Sequence, residues 1–153
     1  MPPATDNLAP ARLRATPSWL LTHTATHANR LVAERFGEMG VRRYHYALLA
    51  AVEEFGPASQ ADLGRRCGID RSDVVAALNE LAEAGLVVRT PDPADRRRNS
   101  VTITDAGAAW LRHIAAALAD VQDALLAPLS AAERDQLTRL LVRVLDHHAG
   151  DRD

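Results

Sequence analysis

Residues 69–104 read IDRSDVVAALNELAEAGLVVRTPDPADRRRNSVTIT. This stretch predicts one helix followed by a two-stranded ribbon. Asp70 stands at the N-cap, Asp73 lies in the first turn, and Ile69 and Val74 have the spacing of a hydrophobic staple. Val74, Ala77, Leu78 and Leu81 recur at helical spacing and define one apolar face. Gly85 follows as a C-terminal stop. Residues 86–89 and 100–104 alternate as strands. Between them lies TPDPADRRRN, a loop of turn formers and charge.

At ~100° per residue, Arg71, Ser72, Val75, Ala76 and Asn79 fall together on the side of the helix away from its apolar face. The set holds a cation, two hydrogen-bonding side chains and two small apolar groups. A DNA major groove asks for such a face: a fork for guanine, an amide for adenine, a small group for the thymine methyl. An ordinary solvated helix face has the same look in isolation. The loop adds Arg96, Arg97 and Arg98 at the tip of the hairpin, stiffened by Pro91 and Pro93. An arginine on an extended arm suits a narrow minor groove, where the negative potential is focused.

These residues resemble the winged helix-turn-helix of the MarR (multiple antibiotic resistance regulator) family. Asp95-x-Arg97, followed by Ile103-Thr104 and Gly107, is similar to that family's wing signature D-x-R…L-T-x-x-G, with Ile for Leu. Gly85-Leu86-Val87-x-Arg89 is similar to its G-L-V-x-R after the recognition helix. The resemblance covers about residues 17–148. It implies a homodimer on a pseudo-palindromic operator in double-stranded DNA. Arg97 would sit in the minor groove, Asp95 would help to hold the tip, and Arg96 and Arg98 would face phosphates or solvent. It also implies a small-molecule pocket between the first, second and fifth helices. The expected fold class is mainly α with a small β wing, a winged helix-turn-helix flanked by N- and C-terminal dimerisation helices.

With 153 residues the chain is long enough for one domain with a real core. All 18 basic residues are arginine, yet the formal net charge is −2. Affinity for nucleic acid would therefore come from local placement of cations rather than from bulk charge. No apolar run approaches the ~18 residues of a membrane span, and the N-terminus lacks a signal-peptide core. A cytoplasmic protein without membrane contact is expected. A single cysteine, Cys67, agrees with a reducing compartment.

In chain order, residues 1–15 read as a mobile tail with room for a short ordered piece, and residues 16–153 as a single domain. Thr16-Pro17 starts a helix over 17–39. A second helix is expected over about 42–55, stopped by Gly56-Pro57. Ser59-x-x-Asp62 resembles a capping box opening a short helix to Cys67, and Gly68-Ile69 makes the turn into the next. The winged helix-turn-helix thus spans about 42–104. Thr104 caps a long helix to about 127, Pro128 breaks it, and Ser130-x-x-Glu133 caps a last helix to about 148. A helix of ~22 residues is ~33 Å long, more than a small winged domain covers. The apolar stripes of helices 17–39 and 105–148 need a second copy or a fold-back on their own chain, and the resemblance favours the dimer.

Catalysis has no support: no motif sets a nucleophile beside a base and an orienting acid, and no cofactor is expected. Cys67 reads as a packed structural thiol. His23 and His27, with His45 and His113, have helical spacing that could suit a metal, but no acidic or sulfur partner is poised and no metal is assigned. His147 and His148 compensate a helix C-terminus. Trp19, His23, His27, Tyr44, His45 and Tyr46 gather half of the chain's Trp, Tyr and Phe with imidazoles. They suit a planar, aromatic ligand, or equally a packed dimer interface. The function expected is a sequence-specific, homodimeric DNA-binding repressor released by a small aromatic or phenolic effector. The alternatives are a winged-helix interaction module without DNA binding and a metal-responsive regulator.

Overall fold

The computed structural model describes residues 9–95 and 97–150. In chain order the elements are α1 (Ala11–Arg14), α2 (Pro17–Met39), α3 (His45–Phe55), β1 (Ala58–Ser59), α4 (Gln60–Cys67), α5 (Arg71–Glu83), β2 (Val87–Pro91), β3 (Asn99–Ile103), α6 (Asp105–Leu125) and α7 (Ala131–Ala149). They form two compact units: Asn29–Ala119, and the two chain ends up to Ala28 and from Asp120 onward. The expected fold class, mainly helical with a small β wing, is what the chain adopts.

The unit Asn29–Ala119 holds one hydrophobic core. Leu48, Leu49 and Val52 of α3, Leu63 of α4, Val74, Leu78 and Leu81 of α5, Val101 of β3 and Ile114 of α6 are all fully buried within it. Burying each such aliphatic side chain contributes ~1.5–3 kcal/mol. The staple pair Ile69 and Val74 joins this core. The sheet is antiparallel in the order β1-β3-β2.

Local chemistry explains the helix boundaries. The Ser59 hydroxyl accepts from the Asp62 amide at 3.1 Å, which opens α4. Gly68, at φ 64°, closes α4 and turns the chain into α5. Asp70 does occupy the α5 N-cap position, but its side chain makes no capping hydrogen bond; the buried Ile69–Val74 pair is what fixes this helix start. The second helix begins at His45, not near 42, because Tyr44 adopts the left-handed conformation at φ 71°. The ribbon reaches further toward its tip than the alternation predicts, with Pro91 opposite Asn99. The strand β1, absent from the sequence reading, is two residues that exist as a strand only by pairing with Val101 and Ser100.

In the other unit, α7 opens with the reciprocal capping box that the sequence predicts. Glu133 N donates to Ser130 Oγ at 3.2 Å, and Ser130 N donates to Glu133 Oε1 at 2.9 Å. The backbone N–H bond from Ser130 holds the Glu133 carboxyl below the usual carboxylate range. Arg134 ties the α6–α7 turn by donating to the carbonyls of Leu126 and Leu129 and to the Asp123 carboxylate. Leu140, Leu141, Val142, Val144 and Leu145 of α7 stay exposed, Leu145 at 68%. Of the expected tail, residues 1–8 lie outside the described residues, and α1 occupies part of the rest.

One joint connects the end of α5, the base of the wing and the start of α6. The Thr104 hydroxyl donates to the Gly85 carbonyl at 2.7 Å and accepts from the Gly107 amide at 3.0 Å. Gly107 is required by this approach: a Cβ there would overlap the Leu86 carbonyl oxygen and press on Ile103 Cγ1. Gly107→Ala is expected to cost about 1–3 kcal/mol by overpacking. The measurement is a urea titration, with a lowered midpoint at unchanged slope expected; a parent-like midpoint would show that the joint relaxes freely.

Candidate nucleic-acid interface

The candidate reading face follows from the burial of α5. Its apolar side, Val74, Ala77, Leu78 and Leu81, is buried. This leaves Arg71, Ser72, Ala76 and Asn79 exposed on the opposite side, with Val75 half-buried at the margin. Among the described residues, no side-chain hydrogen bond or ion pair engages Arg71 or Ser72. Asn79 differs: its Oδ1 accepts from Arg89 Nη1 at 2.7 Å.

The wing tip is organised by two aspartates. Asp92 N donates to the Arg98 carbonyl at 2.8 Å, and the Asp92 carboxylate accepts from Ala94 N at 2.9 Å. The Asp95 carboxylate accepts from the Arg97 backbone N–H at 3.0 Å, while the Asp95 carbonyl accepts from Arg98 N. Asp95 thus spends its charge on the backbone of the tip. Arg97 and Arg98 are exposed, and among the described residues neither guanidinium has a partner. Arg96 lies outside the described residues.

The aromatic-polar residues divide between the two units. On α2, Trp19 and His23 stack with ring centroids 3.9 Å apart, and His23 Nδ1 donates to the Trp19 carbonyl at 2.8 Å. His27, a turn further on, is exposed. In the unit Asn29–Ala119, Tyr44 lies under the Arg43 guanidinium, 4.7 Å from its ring centroid, and Tyr46 packs on Phe36. His45 is engaged across the fold: its Nε2 donates to Glu80 Oε2 of α5 at 2.7 Å, and Arg42 reaches Glu80 Oε1 at 3.2 Å. Cys67 is half-buried and donates to the Ala47 carbonyl at 3.5 Å; burial pushes its thiol pKa up, so it is a poor nucleophile. Among the described residues, no group of three His, Cys, Asp or Glu lies close enough to hold a metal ion. No described helix is long and apolar enough to cross a membrane.

Three residues at this junction, Arg42, Glu80 and Arg89, escape a reading of the sequence. Each acts through a partner brought near by folding: no local pattern marks Arg42 or Glu80, and the motif that ends in Arg89 does not reveal Asn79 as its partner. Two shallow cavities flank the Arg42–Glu80 pair. One, of about 380 Å³, is lined by Arg42, Arg43, Tyr44, Asp73, Ala76 and Glu80 among others; the second, about 350 Å³, includes His45 and Glu83. The His45 hydrogen bond first, and the Arg42 charge after it, hold the Glu80 carboxyl below the usual carboxylate range. Because the folded pKa is the lower one, this contact stabilises the fold above the ordinary glutamate range. The contribution is lost as pH falls through the lowered value. Glu80→Gln is expected to lower the urea midpoint at pH 7, with the gap to the parent closing as pH falls below the ordinary glutamate range and through the lowered value. Added salt should narrow the gap at pH 7, since Glu80 is partly exposed. A gap that persists unchanged at low pH would mean that Glu80 acts through packing alone.

Comparison with known proteins places this geometry in a family. The model described as MarR family matches residues 39–98. The chain is similar to the HTH-type transcriptional repressor NicR of Pseudomonas putida, 31% identical over 101 residues that cover 66% of this chain; it spans 64% of the length of NicR. A crystal structure of a probable transcriptional regulator from Pseudomonas aeruginosa superposes with a TM-score of 0.75 at 32% identity, covering 87% of this chain and 99% of that one. The PcaV transcriptional regulator from Streptomyces coelicolor, solved in complex with its natural ligand, superposes with a TM-score of 0.72 at 28% identity, covering 91% of this chain and 98% of that one. The matched region runs from the end of α2 through the helix-turn-helix to the wing tip, the segment whose local chemistry is described above. This chain belongs to the MarR family of transcriptional regulators.

Proposed function

We propose that this chain is a sequence-specific DNA-binding repressor that works in the cytoplasm as a homodimer and is released by a small aromatic or phenolic ligand. One observation carries the DNA reading. Asp95 ties down the wing backbone while the Arg97 and Arg98 guanidinium groups stay exposed, one hairpin away from the outward face of α5. Arg71, Ser72, Val75, Ala76 and Asn79 enter a major groove in this reading. Arg97 enters the flanking minor groove, and Arg96 and Arg98 lie near phosphates. The exposed apolar stripe of α7 supports a second copy as partner. The two half-sites then lie about one helical turn apart on the duplex.

The wing decides the test. A charge-assisted groove contact is worth ~1–3 kcal/mol per site, so Arg97→Ala should weaken a two-winged complex a hundredfold or more. Asp95→Ala should also weaken it, although it removes a negative charge. A wing that is only a charged loop predicts the opposite sign for Asp95→Ala. Fluorescence anisotropy at fixed salt, on a duplex selected from the DNA flanking the gene, reads both variants. The same titration should saturate at two chains per duplex. Parent-like affinity for Arg97→Ala together with tighter binding by Asp95→Ala ends the wing reading, and a parent that binds no duplex favours an interaction module.

The ligand half of the proposal rests on the stacked Trp19–His23 pair and on the likeness to a regulator solved with its ligand. A thermal-shift screen of aromatic carboxylates and phenols should find a compound that stabilises the protein and weakens its hold on DNA. Trp19→Ala and His23→Ala should blunt that response and retain basal DNA binding. Variants that respond as the parent does would place the ligand elsewhere.

A further inference from the structure

Among the described residues, Asn79 is the one member of the candidate reading face whose side chain a neighbour holds by a hydrogen bond. Arg89 Nη1 donates to its Oδ1 at 2.7 Å. Arginine has N–H donors and no acceptor, so the amide oxygen must be the end that faces Arg89. Arg89 itself stands on the middle of β2, opposite the fully buried Val101 of β3. Its backbone is thus set by the paired sheet rather than by the tip of the wing.

On the reading of α5 as the helix that enters the major groove, we propose that Arg89 is a positioning residue for base recognition. It holds the Asn79 carboxamide in one of its two orientations and so excludes cytosine from the position that Asn79 reads. A free carboxamide rotates about a broad, two-fold torsion and presents either end. Held by Arg89, Asn79 turns its oxygen toward β2 and leads with its NH2 group, a donor. Guanine N7 and O6, adenine N7 and thymine O4 can accept from it, whereas cytosine presents only its N4 amino donor in the major groove. A donor facing a donor leaves both desolvated groups unpaired. Released from Arg89, the amide turns its oxygen outward and accepts from cytosine. The exposed Arg89–Asn79 bond adds little to the stability of the fold; its effect is on which end of the amide meets the base.

The test uses the full chain and a randomised duplex pool, with selected duplexes sequenced for the parent, Asn79→Ala, Arg89→Met, Arg89→Lys and the Asn79→Ala/Arg89→Met double variant. The position flattened by Asn79→Ala identifies the base read. Anisotropy then compares the four bases there at fixed salt. The parent should disfavour cytosine by about tenfold. Arg89→Met should reduce that penalty to less than about threefold at that position and leave the preferences at the other positions in place. Arg89→Lys, which keeps one donor, should restore part of the penalty. The double variant should be no flatter than Asn79→Ala, since the two residues act as one unit. A direct phosphate contact by Arg89 predicts instead an equal loss on all four duplexes and a shallower salt dependence. That result, or losses in the two single variants that simply add, overturns the assignment. Arg89→Ala, judged folded by its urea midpoint, repeats the comparison if the methionine variant is misfolded. A parent that enriches duplexes with cytosine unpenalised overturns this assignment alone; a parent that enriches no duplex overturns the DNA reading and this assignment with it.

Discussion

Burial of one side of α5 governs what its other side can present. Val74, Leu78 and Leu81 are locked into a core shared with α3, α4, β3 and α6. Turning the helix by a single residue, ~100° about its axis, would bring leucines into water and press Arg71 or Asn79 into the core without partners. The penalty for that is several kcal/mol on either count. The outward set is therefore fixed by the inward one, and side chains can change on the outer face without disturbing the helix.

Charge is arranged around that face rather than in bulk. The chain is slightly acidic, and α5 itself carries Asp73, Glu80 and Glu83. Glu80 is turned to Arg42 and His45, so its charge is compensated at the α2–α3 turn. The Asp95 charge is committed to the backbone of the wing tip. With Glu80 and Asp95 engaged and Arg97 and Arg98 exposed, the net charge of the chain is a poor guide to the potential near the tip.

The parts legible in the sequence are those decided by near neighbours. The α5 stripe, the Ser130–Glu133 capping box, the Gly85 stop and the turn at Gly68 all rest on residues a few positions apart. Contacts between distant residues were not legible. Ala58 becomes strand only because Val101 pairs with it, and His45 meets Glu80 from another helix. Tyr44 hides the start of α3, since a bulky residue at positive φ has no local signature. Asp70 shows the converse: a residue suited to capping, at the right position, whose side chain makes no capping bond, while Ile69 before it and Val74 after it are buried in the core. The outward residues of α5 could be placed by period alone, whereas Arg89 could be linked to Asn79 only after the hairpin had folded back.

The order of the sheet sets one further property of the chain. With β3 in the middle, β2 is an outer strand, and an outer strand is a template on which another chain can add its own. Here that template is blunted. It is five residues long and ends in Pro91, which has no amide hydrogen to offer, beside a charged side chain at Arg89. The hairpin can project from the body of the protein without recruiting strands from its neighbours. The same few residues that shape the wing thereby guard the chain against edge-to-edge aggregation.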